Sequence, residues 1–504
     1  MPGNKMPVLV GVGQVVDHWR AEDGAEKAPS PLSLSVTASQ RAFKDSGVKD
    51  AASLVDTVAM GRTNETSFAA AVQPFGLNAN LPGTLAREIG ATPSTLIYEI
   101  AGGQSPQALV NEMAARIHAG ESVCTLVVGA EAIGATKTAR RAGIALNWED
   151  DDPRPLDDRG YGPPLLNRNE AKHGLVVPAY FYALFQTAIA KNRGEGREAH
   201  RKTMSALFAP FSAVAAGNPH AQFPTERTAE WLAAPSQENR PIADPFLKWH
   251  VAQDAVNLSA AVLLMDEEKA DALGIPAEKR VYLHGAGEAT DSNISERPKV
   301  DGSWAMDVAL NRAFDQAGRT QADIALFDLY SCFPCAVMSA CSVMGIEETN
   351  DPRPLTVTGG LPFFGGPGNN YSMHGIASMA ERLRAAPGQF GLVLANGGWM
   401  TKEAAAIYST GRPNAFSPVE PGAYAKDIVE IENAPRSGTL ETYTVVHGRS
   451  GPSEAIAFCR TGDGKRFIAV GDDASIKALS ADENQVGRPV TATSENEVNT
   501  FSLA

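Results

Sequence analysis

The sequence predicts a layered α/β protein of two similar halves, followed by a small all-β domain. Three observations predict this. Strand and helix patterns alternate from the N-terminus onward. Two segments, residues 102–132 (GGQSPQALVNEMAARIHAGESVCTLVVGAEA) and 365–398 (GGPGNNYSMHGIASMAERLRAAPGQFGLVLANGG), share one plan. After about residue 412 the helical periodicity gives way to short strand patterns.

At 504 residues the chain is too long for one ordinary core. Hydrophobic content of 43% and charged content of 20% describe a globular protein. A formal net charge of −14 with no basic stripe argues against nucleic acid as a partner. Five cysteines, mostly in apolar runs, do not suggest a disulfide framework. The N-terminal stretch lacks a signal-peptide pattern, and no apolar run is long enough to span a bilayer, so the reading is a cytoplasmic protein.

MPVLVGVGQVV reads as a buried strand. The following helix opens at Ser30–Pro31, a cap and first-turn pair. VDTVAMGRT is a further strand. The repeated segments each open with a Gly-Gly turn and continue as a helix with an apolar stripe. The stripes are Leu109, Met113 and Ile117 in one, and Met373, Ile376, Ala380 and Leu383 in the other. Each then enters a buried strand. The likeness reflects either a duplication or chance similarity of two helix–strand units. Between them, about residues 135–245, lies an insertion rich in Pro, Asp and aromatics, of the kind that covers sites in α/β enzymes. PNAFSPVEPG reads as a linker, and Asp463–Gly464 between two strand patterns is a hairpin signal.

The duplicated units, the strand MPVLVGVGQVV and the segment LLMDEEKADALGIPAEKRVYLHGAGEA together resemble the thiolase superfamily over about residues 5–410. The nearest branch is the sterol carrier protein thiolases and thiolase-like proteins with an extra C-terminal domain. The resemblance implies a five-layered αβαβα fold of two similar halves, an N-terminal half at 1–275 that includes the insertion, a second half at 276–412, and an OB-like β domain at 413–504. It also implies a homodimer handling coenzyme A thioesters, with no covalently bound cofactor and no metal. The C-terminal domain is a candidate site for a partner protein.

The family's motifs fall on unusual residues. The nucleophilic cysteine at the first-half helix N-terminus matches Gly103, and no cysteine precedes Cys124. The histidine of Gly-His-Pro matches Gly366, and the second cysteine matches Ala395, beside Asn396. The first residue of the fourth motif matches Tyr330 in Tyr330–Ser331–Cys332–Phe333. Claisen condensation needs a nucleophile and a base, and both are missing from their usual places. Two helix N-termini facing one pocket still stabilise an oxyanion, which makes Gly103, Ser105, Gly366, Asn369, Asn370 and Asn396 candidates for holding a thioester. The glycines equally serve tight turns, and the asparagines suit turns for backbone reasons.

Four side chains are candidates for chemistry. His374, expected in the first helical turn, would be kept neutral by the helix dipole, or else joins Ser378 and Glu381 on a polar face. Tyr371 and Tyr330 are possible proton donors, or packing residues with satisfied hydroxyls. Cys332 keeps the cysteine of the sterol carrier motif and is the thiol to test as a nucleophile, although Cys332-x-x-Cys335 also fits buried structural thiols. Lys137–Arg141 (KTARR) either neutralises nucleotide phosphates or forms a solvated helix face. The reaction expected is one on an acyl-CoA thioester without acyl-cysteine, either retro-aldol carbon–carbon cleavage or acyl transfer through another group. A non-catalytic binding or scaffold protein is the alternative.

Overall fold

The computed structural model describes residues 4–420 and 422–504. The first half contributes strands β1 (Pro7–Val16), β2 (Thr57–Met60), β3 (Thr95–Tyr98), β4 (Cys124–Glu131) and β5 (Asp157–Asp158). The insertion adds two short strands, β6 (Pro241–Ala243) and β7 (Phe246–Leu247), and the half closes with β8 (Leu258–Asp266). The second half contributes β9 (Tyr282–Thr290), β10 (Ile324–Leu329), β11 (Phe390–Gly397) and β12 (Lys402–Ser409), and the linker adds β13 (Ala423–Tyr424).

The first sheet runs β1-β8-β4-β2-β3-β5, and the second runs β10-β11-β12-β9-β13. The two have the same plan. β1 pairs antiparallel with β8, β8 antiparallel with β4, and β4 parallel with β2. β9, β12, β11 and β10 repeat that sequence of pairings. Identical order and polarity in both halves decides for duplication over chance.

The repeated helices, Ser105–Ala119 and Tyr371–Ala385, lie between the sheets. Leu109, Met113, Ile117, Met373, Ile376 and Leu383 share one core with Val127 and Val262 of the first sheet and Val393 and Ala406 of the second. Helix Pro31–Ser46 covers the outer face of the first sheet, where Leu34, Ala38 and Ala42 meet Val8, Val10 and Leu263. Helices Trp304–Ala317 and Pro334–Met344 cover the outer face of the second, with Met306, Leu310 and Val337 against Leu392 and Ile407. This is the expected five-layered αβαβα arrangement.

The outer contacts are duplicated down to single residues. A Cβ on Gly11 would lie 2.3 Å from the Ala42 carbonyl oxygen, and one on Gly13 would lie 2.1 Å from that of Ala38. Gly285 and Gly287 meet Ala313 and Ala309 the same way, at 2.2 Å each. Thus Gly-x-Gly in β1 and again in β9 lets an outer helix sit directly on the strand backbone.

The C-terminal strands are β14 (Ser437–Gly448), β15 (Gly451–Arg460), β16 (Arg466–Gly471), β17 (Pro489–Glu495) and β18 (Val498–Leu503). β15 and β16 form the hairpin foreseen at Asp463–Gly464. Their sheet does not stop at the linker: β14 also pairs with β6, through Val446 and Ala243. Among the described residues no helix is long and apolar enough to cross a membrane.

Candidate active site

The two Gly-Gly turns meet where the halves join. The Gly102 amide donates to Asn369 Oδ1 (2.9 Å), and Ser372 Oγ donates to the Gly103 carbonyl (2.9 Å). Asn369 Nδ2 donates to the Arg62 carbonyl and to Ser67 Oγ, each at 2.8 Å, and Asn370 Nδ2 donates to the Gly129 carbonyl at 2.6 Å. Ser105 Oγ donates to the Ile100 carbonyl at 2.8 Å. These candidates for ligand contact are engaged with the backbone, and they stitch one half to the other. Gly366 packs against Ala252, 3.2 Å from where its Cβ would be, and its amide donates to the Gln253 carbonyl.

Glu131, at the end of β4, belongs to the same joint. Its Oε1 accepts from the amides of Asn64 (2.8 Å) and Asn369 (3.3 Å), and burial pushes its carboxyl up to about 8. Below about pH 4.5 the group is neutral whether the chain is folded or not. Between there and pH 8 only the unfolded chain ionises, so stability falls as pH rises and levels off above 8. Glu131→Gln is expected to remove a slope on the order of 3 kcal/mol across that window, read by urea unfolding at pH 5 and pH 8.

Gly103 has no free space above it. A Cβ there would lie 2.3 Å from Tyr330 Oη and 2.5 Å from the Asn396 carbonyl oxygen. The Tyr330 hydroxyl therefore fills the space that a side chain at position 103 would enter. Its ring packs edge-on against Tyr371, with centroids 5.3 Å apart at 84°. Tyr371 itself turns away, its hydroxyl 2.5 Å from Thr358 Oγ1, in a network that includes Asp328. Burial holds both phenols well above the usual tyrosine range.

His374 lies in the first helical turn and is kept neutral, as one sequence reading expected, and it shares a face with Ser378, as the other did, but that face is not solvated. It is fully buried against β1, with Nδ1 2.9 Å from Gln14 Oε1, while Gln14 Nε2 donates to Ser378 Oγ at 3.1 Å. Burial, rather than the helix dipole, drives its pKa down to about 3.

A buried polar cluster on the outer face of the second sheet joins Asn396 and Cys332, both candidates from the sequence, to Glu403 and Arg297, which were not read from it. Asn396 of β11 and Glu403 of β12 are directly paired across the strands. Asn396 Nδ2 donates to Tyr182 Oη (3.1 Å) and lies 3.9 Å from Cys332 Sγ. Arg297 donates from Nη2 to Thr401 Oγ1 and from Nε to the Ser292 carbonyl, both at 2.9 Å. Several atoms here have no hydrogen-bond partner: Asn396 Oδ1, both Glu403 carboxyl oxygens, Arg297 Nη1 and Trp399 Nε1. Buried polar atoms left open in this way call for water or a ligand. Glu403, 1% exposed, has its carboxyl pushed well above the usual range by burial, against the opposing pull of Arg297. Its charge also bears on Tyr330 and Cys332. Burial raises the Cys332 thiol to about 12, so it is protonated near neutrality. The one signal in the sequence was the pair Lys402–Glu403, two charges opening an otherwise apolar strand.

The C-terminal residues 423–497 match the family described as thiolase-like protein type 1 additional C-terminal domain. A stretch of 135 residues is 31% identical to a 3-ketoacyl-CoA thiolase of Bacillus subtilis, covering 27% of this chain and 32% of that protein. The chain thus spans about a third of the length of the curated relatives it matches. Human mitochondrial 3-ketoacyl-CoA thiolase shares the fold at 16% identity and a TM-score of 0.57, over 81% of this chain and 99% of that one. The crystal structure of a monomeric SCP2-thiolase-like protein type 1 from Mycobacterium smegmatis aligns with a TM-score of 0.82 at 35% identity, covering 99% of this chain and 100% of that one. With that identity over nearly the whole of both chains, and a match to the type 1 additional C-terminal domain, this chain belongs to the SCP2-thiolase-like proteins of type 1.

Proposed function

We propose that the protein takes a coenzyme A thioester and acts on it by proton transfer, with no acyl-cysteine intermediate. The observation that carries this reading is the Tyr330 hydroxyl in the nucleophile's place above Gly103. Retro-aldol cleavage of a β-hydroxyacyl thioester is the reaction class these groups suit. A base removes the hydroxyl proton, the carbon–carbon bond breaks, and the electron pair becomes a thioester enolate that must be stabilised and protonated. Tyr330, its phenol held protonated, is the donor. Glu403, a buried carboxyl of raised pKa, is the acid–base group, and Asn396 positions a polar atom of the ligand. Tyr371 supports Tyr330 by ring contact, and His374 acts only in the joint between the halves.

A second reading, a binding protein without turnover, is favoured by closure of the site. Tyr330 is 6% exposed, Cys332 7% and Asn396 2%. Mass spectrometry of short, branched, β-keto and β-hydroxy acyl-CoA thioesters after incubation separates the two. Turnover of a β-hydroxyacyl thioester, lost about a hundredfold or more in Tyr330→Phe and retained in Cys332→Ala, is expected. Retention of one thioester through gel filtration without turnover would install the binding reading. Neither result would remove coenzyme A from the account. The same column reads the oligomeric state. A single-chain mass, rather than a homodimer, is expected because β5 and the Arg159 amide cover the outer edge of β3.

A further inference from the structure

Neighbouring residues of a strand point to opposite faces, so Lys402 lies across the second sheet from Glu403. Its Nζ donates to the Ala101 carbonyl at 2.6 Å, just before the Gly102–Gly103 turn. The side chain is 7% exposed and, among the described residues, forms no ion pair. It lines a cleft of about 410 Å³ between helix Ser105–Ala119 and the ends of β9 and β12.

Three acids of that cleft, Glu99, Glu112 and Glu288, are already engaged. Arg159 binds Glu99 (2.5 Å) and Glu112 (2.6 and 2.8 Å), and Glu288 accepts from Asn111 Nδ2 at 2.9 Å. Glu420 and Tyr424 close the linker side. An amine has been buried beside a cavity with one hydrogen bond and no counter-ion, which a merely structural lysine does not need.

We propose that Lys402 is the amine of a covalent carbonyl-binding site, in which an aldehyde or ketone entering the cleft condenses with Nζ to an imine. The amine lone pair attacks the carbonyl carbon and the π electrons move to oxygen, which takes a proton. The carbinolamine then loses that oxygen as water, and the nitrogen proton is released as C=N forms. The sum is carbonyl plus amine giving imine plus water. Burial lowers the Lys402 pKa to about 8, Glu99 opposing, so a useful fraction of the amine is neutral near pH 7. Glu288, whose carboxyl burial raises, lines the same cleft. The imine needs no thioester, so trapping it tests this site separately from the Tyr330 reading, although both adjoin the Gly102–Gly103 turn.

The test is reductive trapping on the full-length protein. Acetaldehyde and sodium cyanoborohydride at pH 7, with peptide mapping over time, give the rate of ethylation at each lysine. Lys402 is expected to react at least about tenfold faster than exposed Lys49 and Lys191, because the neutral fraction of an amine grows about tenfold for each unit its pKa falls. Lys402→Arg should abolish the fast adduct at unchanged melting temperature. Should that variant fail to fold, the wild-type map alone decides. Lys402 left unmodified while Lys49 and Lys191 are ethylated would overturn the proposal.

Discussion

Gly103→Ala is expected to destabilise the protein by about 3 kcal/mol, and Gly103→Cys by at least as much without creating a thiolase. The added Cβ would meet Tyr330 Oη at 2.3 Å and the Asn396 carbonyl oxygen at 2.5 Å. The phenol can move only by disturbing its packing on Tyr371, and the carbonyl is part of β11 and cannot retreat alone. Tyr330→Ala should therefore recover only part of the loss, because the backbone contact survives it. A double-mutant cycle of the two substitutions, read from urea midpoints, would give a favourable coupling smaller than the cost of Gly103→Ala itself. A Gly103→Cys protein as stable as wild type and acylated by acetyl-CoA would refute the view that Tyr330 fills the nucleophile's place.

Arg466→Met is expected to cost about 4 kcal/mol and to loosen the C-terminal domain from the second half. Arg466 is fully buried, binds both oxygens of Glu441 at 2.7 Å each, and donates to the carbonyls of Ser295 (2.9 Å) and Arg297 (2.6 Å). Removing it takes one of the two arginine partners of Glu441, Arg460 remaining at 2.9 Å, and leaves two buried carbonyls without their donor. Burial alone would raise Glu441, but its arginine partners outweigh burial and hold it below the usual range. The stability it contributes is thus present above the unfolded-chain value and lost as pH falls through the folded one. Limited proteolysis with a melting scan checks the substitution. Unchanged cleavage of the 425–436 linker region would sink the coupling. Because Arg466 grips the backbone of Arg297, the substitution should also disturb the polar cluster around Glu403.

The parts of this structure that were legible in the sequence are local. The apolar stripes at helical spacing and the Gly-Gly turns gave both central helices, since each is written within about thirty residues, whereas duplication over chance was decided only by the strand order. The site was less legible because its partners are remote. His374 looked like a surface residue from its own helix, whereas the residue that buries it, Gln14, lies 360 positions earlier. Asn369 and Asn370 read as turn residues or ligand contacts, and only the other half of the chain shows that they hold backbone groups of Arg62, Gly102 and Gly129. Lys402 and Glu403 open an otherwise apolar strand and carry no motif of their own. A strand's two faces cannot be assigned environments before the layers around it are known.

The sheet shared between the insertion and the C-terminal strands has a consequence for how the chain is made. β6 waits for β14, and the Asp244 amide and carbonyl are met by Val445 and by Thr444 Oγ1. His173, earlier still, receives the Asn499 amide, 326 positions further on. On the ribosome the two halves can form their layers as they emerge, but β6 keeps an unpaired edge until β14 is released. The insertion is therefore tied down by strands made about two hundred residues later, and a ribosome stalled near residue 430 would hold a nascent chain with that edge bare, a natural client for a chaperone.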